Sequence, residues 1–372
     1  MDVRILVVDR KNQRMKYQFT CSKWNVEYDI LSSTQSSFMV DSFNNYDNIN
    51  TGDFLICKSV GERFKPTTKD TTWSITYYRP MYIGLIDSFE DLKITTRPLT
   101  EIFNMSLPLK AAWKEDNPSI FVRKMATDYC LTTDRYLGEF IIYSVDGNID
   151  WSIVQDKPAV YNFLTMLQNL YKTTQFFVKP VGYSYDPGVK HFAFGLVTVQ
   201  AGETDHVYFL DKNHYFSNVS VYIRPENVGN ANAIRILYNN VYYSYYLTED
   251  DRIVTDPSDK KLHTPVSKIG YVMEDPPSSS TSTETPPTPA EVARRELKTQ
   301  TYQHEITFEV SYDYPQVDYI TTLGEGVTIS YHGKRYKSVV TKWSASSDKD
   351  TFEITCGNVR STLQFALDET YE

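Results

Sequence analysis

Apolar and polar side chains alternate with a period of two through the first hundred residues, the pattern of half-buried β-strands. Val3, Ile5 and Val7 alternate, and Phe54-Leu55-Ile56 follows the turn signal Thr51-Gly52-Asp53. Trp73, Ile75 and Tyr77 alternate again, and Tyr82-Ile83-Gly84-Leu85-Ile86 makes a further apolar strand. The stretch is rich in Tyr, Thr, Val and Ile, so it predicts a small all-β domain, a barrel or sandwich, over 1–104.

The period changes after about residue 105. Asn117-Pro118 is a helix start, with Asn at the cap and Pro where a missing N–H costs nothing. Ile120, Phe121, Met125 and Tyr129 then share a face up to about Cys130. After Pro158, residues Val160, Phe163, Leu164, Leu167, Leu170 and Tyr171 repeat at helical spacing and predict a second amphipathic helix. A strand at 175–178 follows, with a neighbour at 191–199 across the turn Asp186-Pro187-Gly188. The region 105–206 therefore reads as an α+β middle domain.

Strand character returns at 218–223, where Val219, Val221 and Ile223 alternate, and at 233–238. The polar loop 224–230 separates the two, and 207–247 reads as the first part of a second β-barrel. An insertion, 248–303, contains the one low-complexity stretch, 274–289, whose Pro, Ser and Thr cannot bury enough surface to order it, so a mobile loop or linker is expected. It ends in a capping box, with Thr288 as cap, Pro289 at the first position and Glu291 three residues on, which predicts a short helix from 290 to about 299. The second part of the barrel occupies 304–372. There Ile306, Phe308 and Val310 alternate, as do Val327, Ile329 and Tyr331. A turn at His332-Gly333 leads to a strand at 336–343, and a turn at Ser347-Asp348-Lys349 to Phe352, Ile354 and Cys356.

Composition narrows the function classes. The 372 residues suffice for two or three domains, and 29 Tyr, 19 Phe and 5 Trp give ample surface to bury, which excludes a disordered chain. No apolar run approaches the roughly 20 residues that cross a bilayer, and Met1-Asp2-Val3-Arg4 lacks the apolar segment of a secretory signal, so synthesis in the cytosol without export by that route is expected. The formal charge of -9 argues against a dedicated nucleic-acid binder, though not against a surface past which DNA slides without sticking. Cys21, Cys57, Cys130 and Cys356 are far apart with no C-x-x-C pair and read as buried small hydrophobes.

Chemistry is sparse. The six histidines (His191, His206, His214, His263, His304, His332) show no metal-ligand spacing. The densest polar group, His206 and His214 near Glu203, Asp205 and Asp211, reads better as a solvated loop than as a metal site. There is no G-x-S-x-G elbow, and Gly324-Glu325-Gly326 precedes a strand instead of a helix, so it is a turn and not a dinucleotide loop. Carboxylates are abundant without a placeable pair. The tyrosines, above all Tyr242, Tyr243, Tyr245 and Tyr246 and the pair Tyr77-Tyr78, read first as filling for small β cores, then as assembly contacts, then as sugar-stacking platforms in which Tyr243 and Tyr245 would carry the binding. No catalytic, cofactor-binding or metal-ligating residue stands out.

The segment running from Leu323-Gly324-Glu325-Gly326-Val327-Thr328-Ile329 through Tyr331-His332-Gly333-Lys334-Arg335-Tyr336-Lys337-Ser338 to Phe352-Glu353-Ile354-Thr355-Cys356-Gly357-Asn358-Val359-Arg360 resembles the last barrel of the tail-hub proteins of tailed bacteriophages. The helix before 299 with the strand from Ile306, the strands at 218–238 with Asn232-Ala233-Ile234-Arg235-Ile236, and the helix and strand at 158–178 resemble further parts of that family in the same order. Glu325, where Asp is frequent, and the Pro/Ser/Thr-rich insertion depart from its pattern.

The resemblance is to the siphophage tail-associated (Tal), or baseplate hub, proteins, similar to the contractile-phage baseplate hub. It implies a mainly β fold with an α+β middle: two small β-barrel domains, the second one split by an insertion, plus intervening α+β domains. Two related barrels per chain let a homotrimer imitate a sixfold ring and dock beneath a distal tail protein hexamer, with the tape measure protein as a further partner. It implies a virion protein of the tail tip or baseplate, assembled in the host cytoplasm, that closes the tail tube and opens for DNA ejection. In that family a longer C-terminal extension often carries a cell-wall hydrolase; with so few residues after Arg360 the expectation is a structural protein, not an enzyme, without cofactors. An acidic ring would let DNA pass without adhering. The alternative readings are a carbohydrate- or receptor-binding β protein of the tail tip and, behind it, a peptidoglycan hydrolase.

Overall fold

In the computed structural model the described residues are 2–40, 46–59, 78, 80–109, 112–113, 118–126, 140–143, 153–154, 159–174, 176–200, 207–223, 231–248, 252–262, 266, 268–273, 288–298, 304–314 and 323–357. The sequence readings on Trp73, Ile75 and Tyr77, Asn117, Tyr129 and Cys130, Glu203, Asp205 and His206, His263, and the stretches 224–230, 274–287 and 358–372 lie outside them. The protein is predominantly β, in several sheets, with few helices, as its pattern predicted. It divides into two compact units, one of Met1–Val221 with Ile306–Gly357 and one of Tyr222–Glu305.

The first unit opens with seven strands: β1 (Val3–Val8), β2 (Met15–Cys21), β3 (Trp24–Asp29), β4 (Ser36–Met39), β5 (Phe54–Ser59), β6 (Tyr82–Glu90) and β7 (Lys93–Pro98). They pair in the order β3-β4-β7-β6-β5-β1-β2, all antiparallel. β1 differs from the half-buried strand its alternation predicted: every residue except Arg4 is buried. Val3, Ile5 and Val7 join one core with Leu55, Cys57 and Tyr82, while Leu6 and Val8 join a second core on the other face with Phe54, Ile56 and Ile83. Covering both faces of a strand favours a continuous apolar run over alternation.

The second of these cores is supplied by the middle region. It holds β8 (Ser106–Leu109), β9 (Ala112–Trp113), α1 (Pro118–Met125), β10 (Phe140–Tyr143), β11 (Ile153–Val154), β12 (Ala159–Asn162), α2 (Phe163–Thr174), β13 (Phe176–Asp186) and β14 (His191–Gln200). β13 and β14 form the predicted hairpin, and β10, which the sequence pattern did not single out, lies parallel to β14. Val122, Met125, Phe163, Leu167, Phe194 and Leu196 bury against Leu6, Val8 and Phe54. The second helix starts later than its apolar spacing suggested. Val160 lies in β12 and is 68% exposed, whereas the Asn162 side-chain oxygen accepts the Thr165 N–H at 3.0 Å and caps α2.

The chain returns through β15 (Val207–Phe209) and β16 (Phe216–Ile223) before the second unit, β17 (Ala233–Tyr238), β18 (Val241–Leu247), β19 (Ile253–Val254), β20 (Lys268–Val272) and α3 (Pro289–Lys298). These four strands pair as β19-β18-β17-β20, and α3 seals one face through Val292, Ala293 and Leu297 on Ile234, Ile236 and Leu247. The capping box forms as predicted: Thr288 N–H donates to the Glu291 carboxylate at 2.7 Å and Glu291 N–H donates to Thr288 Oγ1 at 3.3 Å. The closing strands are β21 (His304–Ser311), β22 (Gly326–Tyr331), β23 (Lys334–Ser346) and β24 (Thr351–Gly357). The His332-Gly333 turn joins β22 to β23 with both residues at positive φ, +49° and +76°, the twist that suits a two-residue hairpin loop.

Candidate functional site

The long strand β23 joins the two ends of the chain. Its second half is hydrogen-bonded on both sides, to β24 and to β3, pairing Trp343 with Tyr28 and Ala345 with Val26. Trp24 O accepts the Ser347 N–H at 2.9 Å, and Thr341 O accepts the Ile30 N–H at 3.1 Å. One 13-stranded sheet results, running from β16 through β21, β24 and β23 into β3 and on to β2. Its inner face is a single core: Trp343 is 1% exposed, its ring lies 5.8 Å from Tyr28, and Tyr28 lies 5.0 Å from Tyr82. The Tyr28 hydroxyl donates to Ile83 O at 2.6 Å. Among the described residues, β2 and β16 are the outer strands at the two ends of this path.

Alternation along these strands puts a different chemistry on the outer face. Strand register aligns Ser346, Asn25, Ser37, Thr95 and Ser88 in one row, with the Ser88 and Thr95 hydroxyls 2.6 Å apart. The next rows are Glu353, Ser344 and Glu27, then Thr355, Lys342 and Asp29. Thr307 continues the last row, its hydroxyl 3.3 Å from that of Thr355. Two of the lysines on this face are held in ion pairs. Lys342 reaches Glu27 at 2.8 Å, and Lys349 reaches Glu309 at 2.8 Å, which also accepts Asn218 Nδ2 at 2.7 Å. The Lys349 contact, which outweighs partial burial, holds the Glu309 carboxyl below its usual range.

A buried charge ties the middle region to the closing strands. Lys179 on β13 is 5% exposed; its ammonium donates to Leu323 O at 3.1 Å and lies 3.7 Å from Glu325 Oε1. The same turn needs glycine. Gly324 has φ +76°, and a Cβ there would run into the Phe177 ring. The Gly-x-Gly of the sequence is thus a turn clamped onto β13, not a phosphate loop. Beside it lies a small, partly open cleft lined by Tyr28, Asp29, Glu101, Leu167, Phe177 and Lys179 among others.

Among the described residues no group of three or more His, Cys, Asp or Glu is placed to hold a metal. Cys21, Cys57 and Cys356 are buried, and burial pushes each thiol up, away from the reactive thiolate. Asp211 accepts the N–H of His332, 121 residues away, at 3.0 Å, and the His214 ring lies tilted against that of Tyr215 with centres 4.1 Å apart.

The tyrosines sort by strand face. Tyr78 stacks on Tyr183 at 5.4 Å with Lys58 over both rings. On β18, Tyr243 and Tyr245 stand opposite Ile236 and Ile234, on the face that α3 covers, and burial raises the Tyr245 hydroxyl. Tyr242 and Tyr246 point the other way. Tyr243 is still 36% exposed, so the one-residue step along the strand changes the face each ring occupies without burying every ring on the α3 side.

Comparison with known proteins locates this fold. No family model and no curated protein matches the sequence. Solved structures match along nearly the whole chain. A chain of the phage P2 baseplate in its activated conformation aligns with a TM-score of 0.56 and 9% identity over 97% of this chain and 100% of that one. A tail protein from Neisseria meningitidis MC58 aligns at 0.52 and 9% identity, covering 95% of both chains. A 43 kDa tail protein of prophage MuSo2 from Shewanella oneidensis aligns at 0.52 and 11%, over 96% and 98%. The fold is that of phage baseplate and tail proteins.

Proposed function

We propose that this protein is a structural, non-enzymatic hub of a phage-type tail tip, three copies of which form a ring that closes the tail tube beneath the distal tail protein and opens for DNA release. The supporting observation is the end-to-end agreement with the P2 baseplate fold, in which nothing of either chain is left over beyond a few per cent. The sheet gives this reading a physical basis. Among the described residues the path of strands ends in β2 and β16, whose outer edges offer backbone N–H and C=O groups to neighbours. Head-to-tail contact between such unlike edges generates a closed trimeric ring when each copy is related to the next by a third of a turn without translation along the axis. The hydroxyl and carboxylate rows of the outer face then line the passage, and the -9 charge per copy keeps DNA from adhering.

Immunogold electron microscopy of tails from a producing culture, with antibody against this chain, tests the reading. Label confined to the tail end distal to the capsid is expected. Label along the whole tail, or on no particle, would overturn it.

A further inference from the structure

The unit Tyr222–Glu305 carries a sheet with one face sealed and the other open. Register places Arg235, Leu237, Tyr242, Tyr246, Lys268 and Val272 on the face opposite α3: Leu237 pairs with Tyr242 and with Val272, and Ala233 pairs with Tyr246 and with Lys268. Tyr242 is 61% and Val272 68% exposed, an unusual outlay of apolar surface for strands whose other face is packed. Gly270 sits between them opposite Arg235, and a Cβ there would meet nothing within 4 Å, so the floor is flat and unobstructed.

Each ring is matched with a cation. The Arg235 guanidinium lies 4.3 Å from the Tyr242 ring centre and the Lys268 ammonium 6.0 Å from that of Tyr246. Among the described residues neither cation is paired with a carboxylate. In a chain with nine more acidic than basic residues, two cations held over aromatic rings and away from carboxylates form a locally positive spot. Tyr242 and Tyr246 are four residues apart on one strand, roughly 13 Å, with Ser244 between them on the same face.

We infer that this open face binds an acidic glycan, with sugar rings stacked on Tyr242 and Tyr246 and carboxylate or sulfate groups met by Arg235 and Lys268. Flat tyrosine faces suit the C–H side of a pyranose, and their spacing spans a short oligosaccharide. The pairing of each ring with a cation suits a glycan that carries its carboxylate or sulfate groups beside flat sugar faces, and hexathymidylate serves as the nucleic-acid control. The inference goes beyond the tail-tip reading and does not depend on it.

Calorimetric titration of the full chain with hexagalacturonate, a hyaluronan hexasaccharide and a heparin hexasaccharide tests it. At least one is expected to bind, more weakly as salt rises. Tyr242→Ala and Tyr246→Ala should each weaken binding about tenfold or more, Arg235→Gln should weaken it and flatten the salt dependence, and Tyr243→Phe, on the α3 face, should leave it unchanged. Circular dichroism of the exposed-site variants confirms that they fold. No binding of any of the three at about 5 mM, affinity unchanged in both tyrosine variants, or tighter binding of neutral maltohexaose or of hexathymidylate would overturn the inference.

Discussion

Replacing Trp343 with alanine probes the union of the two chain ends most sharply. The side chain is 1% exposed on β23, between Ile354 on β24 and Tyr28 on β3. Burying about 200 Å² of aromatic surface at about 25 cal/mol/Å² is worth about 5 kcal/mol, an upper bound since an unfolded chain already covers part of it. Measured Trp→Ala losses in cores, about 3–5 kcal/mol, agree. At roughly 2–4 °C per kcal/mol for a large domain, the melting temperature should fall about 6–20 °C. Location matters more than size. If opening and closing strands share one core, amide exchange in Trp24–Asp29 and Tyr82–Glu90 must quicken together with that in Thr351–Gly357. Exchange that quickens only in the closing strands, with the first hundred residues unchanged, would refute a common core.

Three further perturbations have defined signs. Burial lowers the His304 pKa to about 4, so between that value and about 6.5 the unfolded chain binds the extra proton; stability present above pH 6.5 should decline as pH falls from 7 to 5, and His304→Gln should flatten the slope in denaturant titrations. Glu309, whose pKa is lowered, loses its stabilising charge only below its ordinary value of 4.5, outside that window. Leu92 adopts φ +62° in the two-residue turn Asp91-Leu92 and is 36% exposed, so Leu92→Gly should gain about 0.5–1 kcal/mol by calorimetry. Thr288→Ala removes one half of the capping box and should cost about 1 kcal/mol, seen as faster amide exchange in Pro289–Lys298.

Local chemistry was legible wherever it is short-range. The capping box at Thr288 and Glu291, the His332-Gly333 turn and the turn of the β13–β14 hairpin all depend on neighbours within a few residues. What could not be read is long-range. Nothing in Trp24-Asn25-Val26-Glu27-Tyr28-Asp29 announces that its partner is β23, more than 300 residues away, and so the polar rows of the outer face emerge only once register is known. β1 looked half-buried because Arg4 interrupts it, whereas the layer that covers Leu6 and Val8 comes from the middle region. The start of α2 was masked by Val160, which happens to fall on the helical phase but belongs to β12. Likewise, four tyrosines crowded into Tyr242–Tyr246 say nothing of which face each occupies until the pairing with β17 is fixed.

The oligomer formed by the chain in an assembled particle is the most direct check on the proposed ring. A cryo-electron microscopy map of the tail tip should contain three copies of this 43.1 kDa chain around the tube axis, with β2 of one beside β16 of the next and Ser346, Asn25 and Ser37 facing the passage. A single copy on the axis, or three copies that turn those residues away from it, would contradict the account.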